Sequence, residues 1–77
     1  MRGTADKVST KILQLLREAR EPLETKEIEI LLAETSLKDV TRIKVLYRLN
    51  LLRGDGVIKG KPVGSGKGTW IWWVQHE

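Results

Sequence analysis

The apolar period of the chain changes once, at Gly54-Asp55-Gly56. Before that point apolar side chains recur every three or four residues, the spacing of helices that bury one face. After it, β-branched and aromatic residues alternate with lysines and glycines, the spacing of strands. In 77 residues such a switch leaves room for one small domain, helices first and hairpin last. The fold class expected is α+β, a single domain over residues 1–77 with its ordered core at about 5–75. A chain of this size exposes much of its surface and has little room for a deep substrate cleft. It has no Cys, so disulfides and thiolate metal sites are excluded.

The helical half divides into three segments. Val8, Ile12, Leu15, Leu16 and Ala19 recur at helical spacing and predict a helix over 5–20, with Thr4 as N-cap and Asp6 in the first turn. Pro22 stops it, and Leu23 falls in a short extended link. A second helix is expected from Lys26 to Glu34, capped by Thr25, with Glu27 near its N-terminus and Ile28, Leu31 and Leu32 as its apolar stripe. Ser36 with Asp39 three residues on resembles a capping box and predicts a third helix over 37–50. Val40, Ile43, Leu46, Tyr47 and Leu49 are expected on its inner side. Lys38, Thr41, Lys44, Val45 and Arg48 are expected on the outer side, with Arg42 at the border and no carboxylate on that outer face.

The strand half is shorter. Residues 57–63 and 69–74 predict the two strands of a hairpin, with Pro62 at an edge and 64–68 as a glycine-rich tip carrying Lys67. Period two puts Trp70 and Trp72 on one face and Ile71 and Trp73 on the other, one pair completing a core that lacks Phe.

Charge follows the same division. Residues 1–35 hold 6 basic and 7 acidic side chains, a balance of −1, and residues 36–77 hold 8 basic and 3 acidic, a balance of +5; together these give the net +4. A positive half of this kind suits an anionic partner. Glu18, Glu21, Glu24, Glu27, Glu29 and Glu34 belong to the first two helices and read as a solvated face turned away from that partner.

Several chemistries lack their residues. The single His, His76, is penultimate, which leaves no histidine metal cluster and no Ser/His/Asp relay. The stretch 61–69 resembles a nucleotide-binding phosphate loop by eye, but a tryptophan-rich strand follows where that loop requires a helix. The expectation is therefore no enzyme, no cofactor, no nucleotide and no metal. No apolar run approaches the roughly 20 residues that span a bilayer, and the N-terminus has no signal-like apolar region. The expected location is cytoplasmic and nucleoid-associated in a prokaryote or virus, or nuclear in a eukaryote. With no heptad pattern for a dedicated interface, a monomer or weak homodimer is expected.

The order helix, link, helix, turn, helix, hairpin resembles the winged helix-turn-helix DNA-binding family over nearly the whole chain, from Val8 to Val74. Residues 22–28 opening the second helix, 45–49 closing the third and the Gly/Lys loop before an aromatic strand carry the resemblance. The turn between helices two and three departs from it, with Ala33-Glu34-Thr35 where many members have Gly. The resemblance implies a stand-alone transcription regulator of three helices and a two-stranded wing, binding double-stranded DNA with the third helix in the major groove. Carried over by position, Arg42 and Arg48 read guanine edges, Lys38 and Lys44 meet phosphates, Thr41 does either, and Val45 touches a thymine methyl or is half-buried. Lys59, Lys61, Ser65 and Lys67 become wing contacts. A second use of the same fold stays open, a protein-interaction module of a larger replication or transcription assembly docking through its Trp-bearing hairpin.

A narrower resemblance, to winged-helix modules that bind left-handed nucleic acid, rests on Val45-Leu46-Tyr47 and a Trp in the last strand. It fails at Ile43, where those modules have Asn, and at Lys67-Gly68-Thr69, where they have a Pro-Pro pair.

Overall fold

The computed structural model describes residues 6–64 and 68–75. The elements run α1 (Lys7–Glu18), β1 (Leu23–Glu24), α2 (Thr25–Ala33), α3 (Arg42–Gly54), β2 (Lys59–Val63) and β3 (Thr69–Trp73). The expected hairpin is therefore one part of a three-stranded antiparallel sheet of order β1-β3-β2. Leu23 and Glu24, expected as a link, pair with Trp72 and Ile71. This corrects the two-stranded wing.

Caps fix where each helix begins. Asp6 accepts the Ser9 N–H at 2.7 Å and is the N-cap of α1 rather than a first-turn residue; Thr4 lies outside the described residues. Thr25 opens α2 from within, and Glu24 holds the N-cap position. The Glu24 N–H donates to Glu27 Oε1 at 2.7 Å. The Thr25 hydroxyl is committed elsewhere, accepting the buried Trp72 Nε1–H at 2.8 Å. Residues 34–39 form turns instead of the start of a third helix. The Thr35 hydroxyl donates to Leu32 O and accepts the Leu37 N–H, which seats Leu37 and Val40 against the core. Helix α3 starts only after Thr41, whose hydroxyl accepts the Lys44 N–H at 3.2 Å.

Its other end lies four residues later than expected. Gly56, at φ +78°, takes the left-handed conformation that closes a helix; its N–H donates to Arg53 O and that of Val57 to Leu52 O, each at 3.0 Å. The core gathers Val8, Ile12 and Leu16 of α1, Ile28 and Leu32 of α2, and Val45, Leu49 and Leu52 of α3 beneath Ile58, Trp72 and Val74. Trp70 stacks on Trp72 with ring centroids 5.4 Å apart, on the face that meets the helices.

Candidate nucleic-acid interface

The positive half of the chain reaches the surface mainly through α3 and the two long strands. Over Arg42–Gly54 there is no carboxylate, and Arg42, Lys44, Arg48 and Arg53 supply four cations. The orientation of α3 differs from expectation. Val45 is 1% exposed and lies in the core with Leu49 and Leu52, so it is not on the outer surface. Ile43, 80% exposed, and Tyr47, 58% exposed, were expected inside and stand outside. They share the outward face with Lys44 and Asn50. The reason is which side packs. A helix over 37–50 centres its apolar side on Ile43 and Tyr47, whereas one over 42–54 includes Leu52 and completes a Val45/Leu49/Leu52 stripe at i, i+4, i+7.

The arginines are less free than their positions in sequence imply. Arg48 lies beside the buried stripe, with 21% side-chain exposure, and its guanidinium meets Asp6 Oδ2 at 2.7 Å. Asp6 thereby caps α1 and ties it to α3, and Arg48 is a link between helices rather than an outward reader. Arg42 meets Glu29 Oε2 at 3.0 Å, but its side chain stays 59% exposed. An exposed pair of that kind is worth little and opens readily. Glu27 stays exposed while accepting from the backbone at the start of α2, and Glu29, half-buried, leaves the solvated acidic face expected of it to bridge to α3. The guanidinium of Arg53 lies 5.2 Å from the centre of the Trp70 ring, which places a cation at the base of the wing.

A groove runs between the first turns of α2 and α3 and the near end of β3. Lys26, Arg42, Leu46, Thr69 and Trp70 are among its lining residues, and Glu24 is the one carboxylate among them. Lys26 was not among the residues singled out from sequence; only the closing of α2 against α3 brings it to this groove. Thr41 is exposed at the N-cap of α3, and Lys38 is exposed in the preceding turn rather than on a helix. Lys59 and Lys61 are exposed on β2, opposite Trp73 and Ile71. Ser65 and Lys67 lie outside the described residues. The predicted positions thus split into an exposed set (Lys38, Thr41, Arg42, Lys44, Lys59, Lys61) and an inward pair (Val45, Arg48). Among the described residues, no three His, Cys, Asp or Glu side chains are grouped to hold a metal ion. No helix described is long and apolar enough to cross a membrane.

No family model matches the chain, and no curated protein is significantly similar to it in sequence. Among the solved structures that match, one does so with a TM-score of 0.74, 22% identity, and coverage of 88% of this chain and 98% of that one. It comes from a study of the DNA recognition and protein interaction domains of HOP2 and their homologous DNA pairing properties. At this identity the likeness concerns the fold, and the fold is a winged helix, with the third strand included.

Proposed function

We propose that the chain binds double-stranded DNA, laying the outward face of α3 in the major groove with the β2–β3 wing along the flanking backbone. The observation that carries this reading is α3 itself: a helix without a carboxylate, with Lys44 on its exposed face, opening at Arg42 into a groove that also holds Lys26. Lys59 and Lys61 extend the positive surface onto the wing. The HOP2 likeness supports the reading, since the study of that structure of the same fold concerns DNA recognition alongside protein interaction. The role is binding without catalysis, placing the protein with DNA in the nucleoid or nucleus. Occupancy of a promoter site, hence transcription regulation, is the setting we propose.

Each phosphate neutralised releases counterions, with a slope of log K against log salt of about −0.9 per contact. If Lys26, Arg42, Lys44, Lys59 and Lys61 all engage, the slope is about −4.5. Fluorescence anisotropy with a labelled mixed-sequence duplex, repeated across a salt series, tests this; salt-independent binding, or none, contradicts it.

A second reading is a docking module in a larger assembly. It is favoured by one observation, a groove on the other face of the sheet where half-buried Ile71 and Trp73 meet Leu16, Ala19 and Pro22. Binding of a protein partner that survives loss of the α3 cations would support it.

A further inference from the structure

Resting on the DNA-binding reading above, we propose that α3 reads thymine methyl groups through Ile43 and Tyr47, and does not read guanine edges through arginine. These two side chains stand one turn apart on the outward face, 80% and 58% exposed, and Leu51 continues the row at 40%. The core closes on Val45, Leu49 and Leu52 from the opposite side of the helix, so packing within the chain gives no reason for a large aliphatic group at position 43. Leaving apolar surface in water is unfavourable in proportion to its area, and the row therefore marks a contact surface.

The chemistry of the occupant follows from the flanks. Guanine is read by a bidentate arginine, yet Arg48 is drawn inward onto Asp6 at 2.7 Å and Arg42 stands round the helix from this row, in the groove with Lys26 and Trp70. What remains centrally on the outward face is an aliphatic group and a phenol ring beside Lys44. In the major groove only thymine offers a methyl among base edges that otherwise present hydrogen-bonding atoms. A second copy of the chain fits poorly, because two such helices face to face bring lysine and arginine together with no carboxylate on either helix. An anionic surface lined by methyl groups matches both the charge and the apolar row.

The test compares a thymine-rich duplex with the same duplex in which every thymine is replaced by deoxyuridine, which keeps charge and pairing and removes the methyls. The intact chain is expected to bind the thymine duplex more tightly, by about fourfold for each methyl contacted. Ile43→Ala should bring that ratio toward one without changing the salt slope. Lys44→Ala should weaken both duplexes by the same factor and make the salt slope shallower by about one unit. Both positions are exposed, so unchanged thermal unfolding confirms that the variants are folded. Binding to both duplexes with equal affinity overturns the methyl reading and leaves DNA binding standing, whereas binding to neither overturns DNA binding itself. A dimer seen by sedimentation equilibrium without DNA and lost in Ile43→Ala would assign the row to self-association and overturn the inference.

Discussion

Gly60 stands opposite Trp72 in the β2–β3 ladder. A Cβ on Gly60 would lie 2.5 Å from Cε3 and 2.7 Å from Cζ3 of the indole, a separation no side chain tolerates. Gly60→Ala must displace a ring that is 1% exposed, stacked on Trp70 and hydrogen-bonded to Thr25. The expected loss is about 1–3 kcal/mol of folding free energy, the usual cost of overpacking, read as a lower urea midpoint. Thr25 is the complementary case. Thr25→Val keeps the shape but leaves the Trp72 N–H buried without its acceptor, at a cost of about 1–3 kcal/mol. Thr25→Ser, which keeps the hydroxyl, should retain most of the stability in the same assay. Neither relation was legible in the sequence. Gly60 read as one glycine among alternating lysines, and Thr25 read as a cap, because a partner 47 positions away leaves no local pattern.

At the scale of the element, α3 shows both the reach of sequence periodicity and its limit. Apolar residues occupy two sides of this helix: Val45, Leu49 and Leu52 on one, Ile43, Tyr47 and Leu51 on the other. Periodicity offers two candidate faces and two starts; packing decides between the faces. Ser36 and Thr41 are both competent caps, and tertiary packing of Leu37 and Val40 selects Thr41. The side that packs is the one carrying Val45, Leu49 and Leu52, with Arg48 beside it meeting Asp6. The existence of the three helices, the change of period at Gly54-Asp55-Gly56 and the placing of Trp70 and Trp72 on one face were legible, since each rests on a local rule. A two-residue strand such as β1 is too short to show a period and was legible only as an extended link. The inward turn of Arg48 carries its own prediction. Arg48→Met removes the tie to Asp6 and should cost on the order of 1 kcal/mol in thermal unfolding, between the values of exposed and buried pairs. Because Arg48 does not face outward, the same change should leave the salt slope of duplex binding unaltered.

Over the whole molecule the charge division of the sequence becomes a division of surfaces. The near-neutral first half supplies α1 and α2, which support α3 and lend it Glu29 and Asp6 as partners. The positive half supplies α3 and the strands, whose cations are exposed at Arg42, Lys44, Lys59 and Lys61. Lys26 joins them across the groove although it belongs to the near-neutral half, which is why half-by-half counting missed it. On the other face of the sheet, Ile71 and Trp73 form an apolar floor with Ala19 and Pro22, with Lys61 at its edge. The two surfaces predict different partners, so the decisive observation is which one responds to DNA. An NMR titration of the full chain with a mixed-sequence duplex reads this directly. Binding through α3 predicts amide shift changes concentrated at Lys26, Ile43, Lys44, Tyr47 and Thr69, extending to Lys59 and Lys61. Changes confined to 19–22 and 71–73, or no change at all, would contradict it.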